Sequence, residues 1–112
     1  MNFELQKMID QCDELTGIKK NTLKKGDQIF LKTQNSVYSI KVDDDGHYYV
    51  SGGWFDKNNI SPVRLKINGC TWGGSAIKSD IIAAHGLFLE FGNRVITSRI
   101  EKYFVIPKIW QN

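Results

Sequence analysis

Long apolar runs are missing from this chain. Its most apolar uncharged stretch, Ile81 to Leu89, falls well short of the roughly 18 residues a membrane helix needs, so no membrane span is expected. The opening residues Met1-Asn2-Phe3-Glu4 have no basic head, apolar body or small-residue cleavage site, and no secretory signal is expected at this end. Cysteine is scarce. Cys12 and Cys70 are the only two, and without C-x-x-C spacing they read as free thiols in a reducing cytoplasm rather than as a disulfide. His47 and His85 are the only histidines; none of the paired ligand spacings of a zinc set occurs, so neither a metal nor a cofactor is expected. A strong surplus of one charge is also lacking. Fifteen basic against twelve acidic side chains leave +3, which permits nucleic acid as a partner without demanding it.

With 41% hydrophobic and 24% charged residues, the composition is that of a globular protein, and residues 1–112 are expected to form one domain around one core. Leu5, Met8, Ile9, Cys12 and Leu15 recur at spacings of three and four, Asn2 can cap their start and Gly17 can end them. This pattern predicts an N-terminal helix over residues 3–15, with an acidic outer face. Beyond the basic linker holding Lys19, Lys20, Lys24 and Lys25, the period becomes two. Ile29 and Leu31, then Tyr38, Ile40 and Val42, then Val63, Leu65 and Ile67 alternate with polar residues, as half-buried strands require.

Asp43-Asp44-Asp45-Gly46 reads as a hairpin tip, residues 52–62 as a long connection and residues 69–75 as a glycine-rich loop. Residues 94–106 read as one final strand, and Ser79-Asp80 before Ile81-Ile82-Ala83-Ala84 could frame a short extra helical turn near 80–85. The expected fold is mainly β with one N-terminal α-helix: a small antiparallel barrel or strongly curved sheet of about six strands over residues 26–106. Its anatomy is similar to that of SH3-like and Sm-like barrels, an architectural likeness that carries no residue assignments.

Several residues invite a chemical role. Cys70 lies among glycines, with His85 further along; a cysteine nucleophile needs such a base and such backbone amides, so these two are the candidates for a small cysteine-dependent enzyme. The triple aspartate lacks the alternating carboxylates and distant glutamate of a calcium loop. The pairs Gly52-Gly53 and Gly73-Gly74 are not followed by the lysine and hydroxyl residue of a phosphate loop.

Trp54 and Trp72 sit beside those glycine pairs, where rings either mark a binding surface or plug the ends of the sheet. A nucleic-acid interface would draw on Lys19, Lys20, Lys24, Lys25, Arg64, Lys66 or Arg94 for phosphates and on Trp54, Trp72 or Tyr49 for stacking. Phe30, Val37, Phe88 and Val95 fall on the strand face opposite the best core positions, which suggests a cover such as a second copy of the chain. The polar residues do not converge as acid, base and nucleophile. The leading expectation is therefore a non-catalytic binding or assembly module with a protein or homomeric partner. A nucleic-acid-binding barrel and a Cys70 enzyme are the alternatives.

Overall fold

The computed structural model describes residues 17–74 and 76–111. The helix expected over 3–15 lies outside the described residues. From Gly17 onward the chain is built mainly of antiparallel strands, labelled here in order: β1 (Ile18–Lys19), β2 (Gln28–Thr33), β3 (Val37–Val42), β4 (His47–Gly52), β5 (Val63–Thr71), β6 (Ile77–Lys78), β7 (Ile81–Ala83), β8 (Phe88–Phe91) and β9 (Ile100–Ile106). The α-helix of the described residues, α1 (Gly53–Lys57), falls mid-chain. The main sheet runs β6-β5-β4-β3-β2-β9, with β8 also on β5, while β1 and β7 form a separate pair. Among the described residues, no helix is long and apolar enough to cross a membrane.

Alternation decides the faces. Ile29, Leu31, Tyr38, Ile40, Tyr48 and Val50 are all buried on the inner side, because side chains two apart on a strand share a face. β5 then closes the fold. Its first half pairs with β4, through Val63 opposite Val50 and Arg64 opposite Tyr49. Its second half pairs with β8 and β6, through Cys70 opposite Leu89 and Lys78.

A register shift between Ile67 and Gly69 separates the halves, and the bulge swings the strand from one layer into the next. Asn68 secures it by donating to the Glu90 carboxylate at 2.6 Å and to the Phe91 carbonyl at 3.1 Å. Gly69 follows at φ 137°, where an added Cβ would lie 2.3 Å from the Lys78 carbonyl oxygen. Only glycine lets β6 come that close.

Four expectations change. The connection over 52–62 contains α1, which begins where the Gly52 amide donates to the Asp56 carboxylate at 2.9 Å; the helix is too short to show a period, and tertiary packing of one ring, Phe55, holds it. That ring is fully buried and meets Phe91 edge-on at 4.9 Å. The segment expected to make a helical turn near 80–85 is instead β7, whose Ile81, Ile82 and Ala83 are all buried. Its β-branched residues pair with β1 and lie against β5, an environment that favours extended chain.

The run 94–106 is divided between two layers. Thr97 binds back to β8, its hydroxyl accepting the Leu89 amide at 3.1 Å, whereas Ile100–Ile106 crosses to the far edge and pairs with β2. Cys70, expected in a loop, lies within β5.

Candidate functional site

The inner face of the main sheet is occupied by the core, which leaves its outer face open to solvent. Residues in register on neighbouring antiparallel strands share a face, and the pairings draw rows across it. One row reads Arg64, Tyr49, Lys41, Gln28 and Ile106, from β5 through β4, β3 and β2 to β9. The next reads Ser51, Ser39, Phe30 and Phe104, and the third Val37, Lys32 and Lys102.

Rings and cations therefore interleave. Tyr49 is 43% exposed between Arg64 and Lys41, and Phe104 is 56% exposed. Phe104 stacks on Phe30 with centroids 5.2 Å apart and planes inclined by 23°. Gln28 donates to the Ser39 hydroxyl at 2.8 Å, which fixes two polar groups between the rings.

The electrostatics of the face are set at its rim. The β3–β4 hairpin tip turns two aspartates back toward the sheet: Arg64 Nε lies 2.7 Å from Asp43, and Lys25 Nζ lies 2.8 Å from Asp44. The hydrogen bond from Arg64 holds the Asp43 carboxyl below its usual range, and the hydrogen bond to Asp44 raises Lys25. Lys32 meets Glu101 at 3.0 Å. Among the described residues, Lys41, Lys66 and Lys102 make no ion pair, which leaves the face net cationic.

A groove of ≈ 330 Å³ leads from Tyr49 and Lys41 to Lys25 and Lys108. There it meets a cavity of ≈ 690 Å³, lined by Lys24, Lys25, Asp27, Lys108, Ile109 and Gln111, among others.

Of the residues singled out from sequence, the structure brings together Tyr49, Arg64, Lys24 and Lys25 along this face and its rim. Lys66 joins them, opposite His47. Lys20 does not. Its ammonium turns inward and donates to the Ile67 carbonyl at 2.6 Å, and burial lowers its pKa.

The tryptophans lie apart. Trp54 sits on α1, 42% exposed and edge-on to Phe55, and Trp72, 61% exposed, follows β5. Among the described residues no ring contact joins the two. Trp110, near the end of the chain, is 76% exposed. Phe88 of the expected outward set is capped by the Arg99 guanidinium at 4.9 Å, and Val95 packs against the core.

Cys70 is fully buried and His85 exposed. Burial pushes the thiol up from 9.0 to about 12, although the Ala84 amide donates to it. A nucleophilic cysteine needs the opposite environment, with access and a stabilised thiolate. Among the described residues no hydrogen bond joins Cys70 to His85, and no group of three or more histidine, cysteine or acidic side chains is placed to hold a metal ion.

Sequence reasoning missed Lys41, Lys32, Lys102, Phe104, Gln28 and Lys108. All but Lys108 occupy the polar phase of strands whose apolar phase makes the core. Listing the residues between core positions would have found them, but not which lie side by side. Comparison with known proteins returns no matching family model, no matching curated protein and no matching solved structure.

Proposed function

We propose that this protein is a non-catalytic binding module whose outer sheet face takes single-stranded nucleic acid. The observation that supports this most directly is the register that seats Tyr49 between Arg64 and Lys41, one row from the Phe30–Phe104 stack. Unpaired bases have free π-faces that stack on exposed rings, while their phosphates need flexible cations nearby. Each lysine on this face lies within a strand spacing or two of a ring, so one strand can satisfy both needs at once. A duplex hides its base faces, and the broad sheet presents no helix or narrow ribbon to enter a groove.

Fluorescence anisotropy with a labelled single-stranded oligonucleotide tests the reading. If three to five phosphates are engaged, affinity should fall about 20- to 130-fold between roughly 50 and 200 mM salt, and the matching duplex should bind more weakly. No binding at the lower salt, or equal binding of the duplex, refutes it.

A second reading rests on the corner where Phe30, Val37 and Phe104 border a shallow hollow of ≈ 300 Å³. A second copy of the chain could cover these rings. Sedimentation equilibrium tests this second reading: a dimer that Phe104→Lys abolishes supports it, and a monomer at all concentrations removes it.

A further inference from the structure

We propose that the cavity at the end of the cationic groove captures the terminal phosphomonoester of the bound strand, so that the protein recognises a phosphorylated end; this inference rests on the sheet-face reading. Lys24, Lys25 and Lys108 converge on that cavity from two segments far apart in sequence, and their placement is built rather than incidental. Asp27, 8% exposed, accepts the Lys24 amide on one carboxylate oxygen at 2.9 Å and the Lys108 amide on the other at 3.1 Å. Gln111 adds a second clasp, donating to the Gly26 and Ile106 carbonyls at 2.9 and 3.0 Å.

The Lys108 stem lies directly over Gly26, where a Cβ would come within 2.5 Å of it. Asp27 is thus committed to two backbone donors. Lys25 is shared with exposed Asp44, while Lys24 and Lys108 make no ion pair among the described residues. Three lysines against the one Asp27 carboxylate leave the cavity lining net positive, which favours an anion there.

The cavity joins the sheet face through the groove bordered by Tyr49, Lys41, Lys25 and Lys108, so the anion it receives is the continuation of a strand already lying on the rings. A terminal phosphomonoester carries nearly two charges near neutral pH, against one for an internal diester, and offers three free oxygens to separate lysines. Pro107 and Ile109, the latter 85% exposed, supply an apolar wall for the terminal sugar or base.

Three oligonucleotides of one sequence test the inference: one 5′-phosphorylated, one 3′-phosphorylated and one with hydroxyls at both ends. One phosphorylated form should bind about tenfold more tightly than the hydroxyl form, the scale expected of a doubly charged group meeting two or three partly exposed ammonium groups. The preference should shrink below about pH 6, where the monoester takes up its second proton. The double variant Lys24→Ala with Lys108→Ala should erase the preference, lowering the affinity of the phosphorylated form by at least tenfold more than that of the hydroxyl form. Tyr49→Ala should instead weaken all three alike.

If all three oligonucleotides bind equally, or if the preference survives the double variant, end capture is wrong and the sheet-face reading still stands. If none binds, the sheet-face reading fails and end capture fails with it.

Discussion

Tyr48 and Tyr49 are neighbours in sequence on opposite faces of β4, and substituting each in turn separates folding from binding. Tyr48 is 5% exposed and belongs to the core, whereas Tyr49 is 43% exposed in the outer row between Arg64 and Lys41. Replacing a buried aromatic ring by alanine costs about 3–5 kcal/mol, a large share of the roughly 5–15 kcal/mol that holds a domain of this kind together. Tyr48→Ala should therefore shift the denaturation midpoint strongly. Tyr49→Ala removes a ring with one side in water and should change folding stability by no more than about 0.5 kcal/mol.

Binding should invert the order. Loss of one stacking ring costs about 1–3 kcal/mol, so Tyr49→Ala should weaken single-strand affinity by about 5- to 150-fold in a protein that remains folded. Urea denaturation followed by tryptophan fluorescence gives the first quantity and oligonucleotide anisotropy the second. A Tyr49→Ala protein that binds like the parent, or one that loses as much stability as Tyr48→Ala, would refute the assignment of faces to roles. Lys41→Ala supplies an electrostatic counterpart: the slope of log affinity against log salt should fall by about 0.7 if this lysine holds one phosphate of a single strand.

Further expectations follow from the buried groups. Burial raises the Cys70 thiol from 9.0 to about 12, so the native state binds this proton more tightly than the unfolded chain. The contribution is fully present below pH 9 and is lost as the pH rises toward 12, by about 1.4 kcal/mol per unit. Cys70→Ala should show a shallower alkaline loss of stability, and an unchanged slope would contradict the burial argument. The same thiol should resist iodoacetamide until urea is added, with peptide mapping distinguishing it from Cys12; rapid labelling of the native protein would reopen the question of a reactive cysteine.

Gly69→Ala forces a side chain onto the Lys78 carbonyl at a φ that L-residues rarely adopt and should destabilise by about 1–3 kcal/mol or more. A neutral result by urea denaturation would mean that β6 is not held where described. Asp27→Asn leaves one of the two clasped amides without its carboxylate partner and should cost about 1–2 kcal/mol, read as a lower thermal midpoint. An unaltered midpoint would show that the clasp contributes nothing to folding.

Much of the sheet was legible because its signal is local. Gln28–Thr33 and Val37–Val42 alternate so regularly that strand identity and the inward set follow from the pleat alone. The misreadings share one cause. Residues 53–57, 81–83 and 94–99 are too short or too irregular to show a period, and what shapes them is distant: Phe55 finding Phe91, β7 lying between β1 and β5, and Thr97 binding back to Leu89. Cys70 looked like a loop thiol because glycines surround it. One of those glycines, Gly69, is there to admit a second backbone into close contact with the strand.

The candidate interface divides the same way. That Tyr49, Arg64, Lys24 and Lys25 were worth attention followed from residue type and position, since rings and cations outside the core phase must face solvent or a ligand. That Tyr49 stands between Arg64 and Lys41, that Phe104 stacks on Phe30, and that Lys108 reaches the cavity beside Lys24 were decided only by folding. By itself the sequence determined which residues turn inward along β2, β3 and the first half of β5, because that choice depends on the pleat and on each residue's aversion to water. Which outward residues become neighbours depends on strand order and register. Those are set by contacts between segments distant in sequence, such as β2 with β9 and Asp27 with Lys108, that exist only once the sheet has closed.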